Sequence, residues 1–317
     1  METMKAVQFH EYGDAEVLHL EDAPRPSPAE DELLVRVRAA GVNPVDAKVR
    51  AGGMRGGGGG ALPKVAGLDF AGVVEIAGKD VRGFHPGDEV YGRPAFDRSG
   101  SYAQFVVVKE GDIAKKPRTL AFGPAAALPT AALTAWQALF ASRGKPTMNL
   151  QAGQTVLIGG ASGGVGSFAV QLAKWKGATV AATARGENEA YVKDLGADVF
   201  IDYANVRIDE RVRDVDAALD VVGRETQLQA LGVLKRGGVL VSTVGIHVED
   251  EARARGVRTV AVMAATDAAI LVEIAKLVDD GVVRVPVSEE LPLERAQEAQ
   301  EHVASGHTRG KIVLDVH

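Results

Sequence analysis

Thr155 to Arg185 reads TVLIGGASGGVGSFAVQLAKWKGATVAATAR, a succession of strand, glycine turn, helix and strand. Thr155 to Ile158 is a short apolar run suited to a strand buried on both faces. Gly159 to Gly166 is a turn dense in glycine. Through Val165 to Lys176 the residues Val165, Phe168, Ala169, Leu172 and Ala173 fall on one helical face, and Gly177 ends the helix. Thr179 to Thr183 is a second apolar strand, which makes the stretch a βαβ unit with a phosphate-binding turn.

The case for a dinucleotide at this turn rests on backbone. Amide N–H groups that approach a pyrophosphate cannot carry Cβ atoms at the contact points, and the helix N-terminus behind them bears partial positive charge. Ser162, Gly163, Gly164 and Val165 form the bend, with Gly166 behind them. Ala161 stands where the G-x-G-x-x-G fingerprint has its first glycine, and Gly160 lies just ahead. A glycine turn that joins strand to helix for structural reasons alone is the competing reading.

After the second strand, an NAD site places an acid for the ribose hydroxyl, whereas an NADP site needs a cation. Thr183-Ala184-Arg185 stands here, which favours NADPH, with Arg185 on the 2′-phosphate through a bidentate contact. A solvated surface arginine is the alternative, and Glu187 and Glu189 nearby keep it open.

A chain of 317 residues suits two domains and a sizeable core. Its net charge of −6 and pI near 5.7 argue against nucleic acid as a main partner. The absence of cysteine removes disulfides, cysteine nucleophiles and thiolate zinc sites together, and permits the expected cytoplasmic location. Met1 to His10 carries Glu2 and Lys5 and no apolar run, so no targeting segment is expected there. Leu120 to Ser142 lacks charge, but Pro124, Pro129 and abundant alanine make it a buried turn and helix at a domain junction rather than a membrane span. Gly56 to Gly60 is expected to be a mobile loop.

The first third is strand-rich. Lys5 to Phe9 and Leu33 to Ala39 alternate, Ala23 to Pro28 reads as an extended linker, and Asp69 to Ile76, Glu89 to Tyr91 and Ser101 to Val107 read as further strands. Short strands with glycine and proline turns predict a β-rich domain ahead of the βαβ domain.

Gly41-Val42-Asn43-Pro44-Val45-Asp46, Gly67-Leu68-Asp69-Phe70-Ala71-Gly72-Val73-Val74 and the turn Gly163 to Gly166 carry a resemblance in their order and spacing. Over essentially the whole chain the sequence resembles the zinc-free quinone oxidoreductase branch of the medium-chain dehydrogenase/reductase superfamily, related to zeta-crystallin. The resemblance implies an α/β protein with a β-rich GroES-like catalytic domain, residues 1–124 and 265–317. A Rossmann NADP-binding domain with a doubly wound parallel sheet is expected over residues 125–264.

In zinc alcohol dehydrogenases of this superfamily a cysteine, a histidine and nearby acids hold a catalytic metal. The matching positions here are Asn43, Leu68 and Asp69, and leucine has no ligand atom. Only Gly92 to Gly100 stands where a four-cysteine zinc lobe would sit, and the seven histidines show no metal-ligand spacing. No metal site is expected. Without a Lewis acid, a quinone or an α,β-unsaturated carbonyl is the substrate class that accepts hydride with hydrogen-bond help alone. The alternatives are an alcohol or ketone dehydrogenase, and a crystallin-like or RNA-binding protein that retains cofactor binding.

Asn43 is the candidate for orienting the nicotinamide ribose or the substrate carbonyl, because a carboxamide both donates and accepts; a cap on the turn before Pro44 is its other reading, as a helix cap is for Asp46. Tyr91 is a candidate proton donor or else a strand aromatic. By the resemblance, Thr134 lies near the nicotinamide, or back-bonds within its helix, and Tyr203 lies beside the 2′-phosphate. Asn188 stands near where many relatives carry a phosphate-binding lysine. Val222, Val244 and Gly245 follow the fourth and fifth strands, Val215 to Leu219 and Val239 to Val244, and are either backbone contacts to the nicotinamide or plain strand ends. Lys311 is either near the cofactor or a surface lysine. The loop from Met54 to Ala61 is expected to shape the pocket with Asn43 and Tyr91. Arg258 to Met263 is an expected edge strand that pairs with a second subunit in a homodimer. The tail is read as a helix Ala268 to Asp279, a strand Val282 to Val287, a helix Leu293 to Ser305 and a strand Ile312 to Val316.

Overall fold

Alternating sequence in the first third and unbroken apolar runs in the middle third sort into different sheets. The computed structural model describes residues 2–53, 61–140 and 144–317. They divide into two units, one running to Leu133 and resuming over Thr266–His317, the other Thr134–Ala265. The expected pocket loop from Met54 and the expected mobile loop Gly56 to Gly60 lie, apart from Ala61, outside the described residues.

In chain order the first unit supplies β1 (Thr3–Phe9), β2 (His19–Pro24), β3 (Glu32–Val42), α1 (Pro44–Arg50), β4 (Lys64–Val65), β5 (Asp69–Ala77), β6 (Glu89–Gly92), β7 (Phe105–Lys109), β8 (Ile113–Lys115), α2 (Phe122–Ala126) and the start of α3 (Pro129–Leu139). The second supplies β9 (Thr155–Ile158), α4 (Gly164–Trp175), β10 (Thr179–Ala184), α5 (Glu189–Asp194), β11 (Val199–Asp202), β12 (Val215–Asp220), α6 (Arg224–Leu231), β13 (Leu234–Ser242), α7 (Glu249–Arg255) and β14 (Arg258–Ala261). The chain then returns to the first unit with α8 (Ala268–Asp279), β15 (Val287–Pro292), α9 (Ala296–Ala304) and β16 (Lys311–Asp315). Among the described residues no helix is long and apolar enough to cross a membrane.

In the first unit the main sheet runs β15-β16-β3-β5-β6-β8, with β7 also paired to β3. Along β3, Val35 and Val37 are buried while Arg36 and Arg38 face solvent, the alternation of a half-buried strand. Phe9, Phe70, Leu33 and Leu314 fill the core behind it. α2 packs on β3, β5 and β16, which keeps it in this unit and moves the division from the expected residue 124 into α3.

The second unit is the expected doubly wound sheet, all parallel, in the order β11-β10-β9-β12-β13-β14. Strand order reverses between β9 and β12, so the carboxyl ends of these strands border the crevice where ligands bind in such sheets. Leu157, Ala181, Ala218 and Leu240 pack within it. Phe168 on α4 is wholly buried, and its truncation to alanine would cost about 3–5 kcal/mol.

Several expected elements differ, among them β13, which begins at Leu234 and ends at Ser242 rather than running from Val239 to Val244. Val282 to Pro286 is not a strand; β15 begins at Val287, where parallel pairing with β16 sets the register. Ser101 to Gln104 is not strand either, because Tyr102 sinks into the core against Gly67, whose φ is +87° and where a Cβ would lie 2.1 Å from the tyrosine ring. Ala23 and Pro24, read as linker, complete β2 opposite Met4 and Thr3.

Candidate active site

In the second unit the predicted cofactor residues gather at the strand ends. Ser162 to Val165 follow β9, Thr183 and Ala184 end β10, Arg185 comes next, Tyr203 follows β11, Val222 follows β12, and Val244 and Gly245 follow β13. Thr134 is nearly buried on α3.

The glycines of the turn have separable roles. Gly160 sits at φ +61°, the left-handed region. A Cβ on Gly166 would lie 2.2 Å from the Gly160 carbonyl oxygen, so internal packing alone demands glycine there. Gly163 differs, since an added Cβ would meet only the Gly160 oxygen at 3.5 Å, an ordinary contact, and its φ of −81° suits any residue. The fold does not require glycine at 163, and the absent side chain leaves open space beside the helix N-terminus. Gly163 is also the N-cap of α4 and has no side chain to engage the first-turn amides, which leaves them for an anion. Ser162 to Val165 stay half-exposed between buried Ala161 and Gly166. These residues fit a dinucleotide pyrophosphate.

At the neighbouring strand ends Arg185 Nε donates to the Tyr203 hydroxyl at 3.1 Å. That contact raises the Arg185 pKa above its ordinary value. The side chains proposed for the 2′-phosphate are thus side by side. No acid stands at the end of β10; Asp202, one strand over, accepts from Ala204 N and Asn205 Nδ2 at 3.2 and 2.6 Å.

Asp220 and Gln227 were not singled out from the sequence. Asp220, 1% exposed, accepts from Val222 N and Gly223 N at 3.0 and 3.1 Å, from Ser242 Oγ at 2.9 Å and from Gln227 Nε2 at 2.8 Å. Gln227 Nε2 also donates to Gly245 O at 2.8 Å. The pair ties the Val222 and Gly245 loops together. The available signal was an acid closing the apolar strand Val215–Asp220.

The first unit holds a buried polar cluster. Asn43, the N-cap of α1, donates through its backbone N to Asp46 Oδ2 at 2.8 Å and through Nδ2 to Asp69 Oδ2 at 2.9 Å. Lys311 Nζ donates to Val42 O at 2.7 Å and to Asn43 Oδ1. Thr130 N and Oγ1 donate to Asp69 Oδ1 at 3.0 and 2.6 Å, and the Tyr102 hydroxyl to Asp46 Oδ2 at 3.0 Å. Burial, then the charge of Asp69, pushes Asp46 up to about 7; burial lowers Lys311. Lys311 is 4% exposed and therefore no surface lysine.

Tyr91 requires correction. Its hydroxyl is wholly buried, donates to Leu271 O on α8 at 2.6 Å, and is pushed up in pKa by burial. It is a strut between β6 and α8, out of reach of a substrate, rather than a proton donor.

The donor set does not fit a catalytic zinc ion. Leu68 has no ligand atom, and Asn43 Oδ1 already faces an ammonium, which repels a second cation. Elsewhere Glu289, Glu298 and His302 do bring ligand atoms within 4.8 Å, a grouping the sequence reading passed over, but Glu298 is clasped by Arg295.

A family model for the alcohol dehydrogenase GroES-like domain matches residues 29–118, and one for zinc-binding dehydrogenases matches residues 195–314. The mitochondrial NAD(P)H oxidoreductase RTN4IP1 of Danio rerio is 34% identical over 326 residues, covering 90% of this chain and 84% of the relative. The chloroplastic NADPH-dependent alkenal/one oxidoreductase of Arabidopsis thaliana is 34% identical over 322 residues, covering 98% and 79%. The solved quinone oxidoreductase from Coxiella burnetii superposes with a TM-score of 0.91 at 36% identity over the whole of both chains.

Proposed function

The chain belongs to the quinone oxidoreductase branch of the medium-chain dehydrogenase/reductase superfamily, as a nicotinamide-dependent oxidoreductase of the quinone or enone type, and on that premise we propose that it uses NADPH in preference to NADH and works without a metal. The observation that carries the cofactor choice is the Arg185–Tyr203 pair at the ends of β10 and β11. A guanidinium flanked by a phenol offers several donors to a phosphate dianion and lacks the carboxylate that a ribose diol prefers.

When bound, the nicotinamide supplies the hydride. The first-turn amides of α4, opened by Gly163, hold the pyrophosphate. Val222, Val244 and Gly245, in loops braced by Asp220 and Gln227, contact the nicotinamide end with Thr134, and Asn43 orients the ribose or the substrate carbonyl. Solvent supplies the final proton, since Tyr91 is sealed off. With Leu68 at a ligand position, metal-dependent alcohol oxidation is disfavoured against reduction of conjugated acceptors. The open edge of β14 supports a homodimer formed by strand pairing.

Oxidation of NADPH and NADH by a panel of quinones, enals and enones, with a chelator present and absent, tests the reading. Turnover with NADPH that is indifferent to chelator is expected. No turnover of any conjugated acceptor, or turnover abolished by chelation, sinks it.

A further inference from the structure

Asn43 stands where three adjacent strands bring their chemistry side by side. In the order β16-β3-β5, Ile312 is paired with Val42 and Gly41 with Asp69, so Lys311 flanks Asn43 on one side and Asp69 on the other. Gly41 permits this, because a Cβ there would lie 2.2 Å from the Ala126 carbonyl oxygen and 3.0 Å from Asp69 Cβ. The result is a buried line in which the ammonium donates to Asn43 Oδ1 and Asn43 Nδ2 donates to the carboxylate at 2.9 Å.

A carboxamide is ambiguous in shape, since exchanging its oxygen and nitrogen barely changes its outline. An ammonium only donates and a carboxylate only accepts, so this carboxamide has one permitted orientation. The reversed amide would set N–H against N–H at Lys311 and oxygen against oxygen at Asp69. One Nδ2–H is taken by Asp69, and the other is the donor that position 43 still has to offer.

We propose that Lys311 and Asp69 are positioning residues that set the polarity of Asn43, so that position 43 presents an N–H donor and recognises an acceptor oxygen. That oxygen is the carbonyl of the quinone or enone, or a hydroxyl of the cofactor ribose. The inference rests on the function proposed above. A preorganised donor at a carbonyl oxygen stabilises the negative charge that develops there. It also explains a buried lysine: Lys311 acts through Asn43 and not on the ligand.

A charge swap tests it. Asn43→Asp alone places two carboxylates together and should lower the melting temperature. The double variant Asn43→Asp/Asp69→Asn restores the match, with the new Asn Nδ2 donating to Asp at 43, its oxygen still accepting from Thr130, and Lys311 still meeting an oxygen. Apart from the longer branch of the shared Thr130 N–H bond, to Asp69 Oδ2 at 3.1 Å, the swap removes the second N–H of position 43 alone. The double variant should regain the wild-type melting temperature, whereas activity should remain down by roughly ten- to a hundredfold. A fall in kcat with NADPH Kd unchanged assigns the N–H to the substrate carbonyl; a matching rise in Kd assigns it to the ribose. Wild-type kcat/KM and Kd in the double variant overturns the inference, as does a melting temperature no better than that of Asn43→Asp. A wild-type protein inert toward every acceptor overturns the functional reading instead, and the inference then stands or falls on NADPH Kd alone.

Discussion

The Nε of Arg185 lies 3.1 Å from the hydroxyl of Tyr203, one residue beyond the end of β10 and one beyond the end of β11. Neighbouring parallel strands bring together two side chains that are 18 positions apart, and neither is buried. Exposed and adjacent, the two side chains are the pair on which the NADPH preference proposed above rests.

Replacing Arg185 with alanine should therefore raise the NADPH Kd about tenfold to a hundredfold, and leave the NADH Kd within about twofold. Tyr203→Phe should give a smaller loss in the same direction. Fluorescence titration of both cofactors measures this. Equal loss for NADPH and NADH would make Arg185 a bystander and reopen the cofactor choice.

Gly163→Ala and Gly166→Ala should separate binding from folding. At 166 the new methyl lies 2.2 Å from the Gly160 oxygen and should destabilise by about 1–3 kcal/mol or more. At 163 it makes an ordinary 3.5 Å contact, so thermal stability should hold while NADPH binding weakens at least roughly tenfold. A Gly163→Ala protein with unchanged affinity would remove the pyrophosphate from this turn.

Asp46 should make stability fall as pH rises through the acid range. Its folded pKa, raised to about 7, lies above the ordinary 3.8, so the folded protein keeps a proton that the unfolded chain has already released. Its contribution is complete below about 3.8 and is lost as pH climbs toward 7. Asp46→Asn does not titrate, and one carboxamide oxygen can still accept from Asn43 N and the Tyr102 hydroxyl. Its unfolding free energy relative to wild type should thus rise between pH 4 and 7, by at most about 4 kcal/mol, and level off above. Chemical denaturation across that range decides it. A difference independent of pH would mean that Asp46 titrates normally.

Tyr91→Phe should keep kcat and lose stability. The change leaves Leu271 O without its donor at 2.6 Å, a loss of about 1–3 kcal/mol. A collapse of kcat at unchanged melting temperature would restore Tyr91 as a proton donor.

Local features carried the sequence reading furthest. The βαβ unit Thr155 to Arg185 was visible because strand length, helical periodicity and the glycine turn are all set within about thirty residues. Strand β15 was misplaced by several residues because its register belongs to β16, not to its own pattern. Asp220 and Gln227 went unnoticed for a similar reason, since their partners are loops closed only by the parallel sheet.

By itself the sequence determined the two-part α/β architecture, the glycine turn and the cation after the second strand. Those properties reside in residue types and short spacings. Only the tertiary structure decided that Tyr91 is sealed beneath α8, and that Lys311, 268 positions from Asn43, sets the carboxamide's direction. Strand pairing brings these groups within hydrogen-bond reach, and burial then makes each donor and acceptor find its complement.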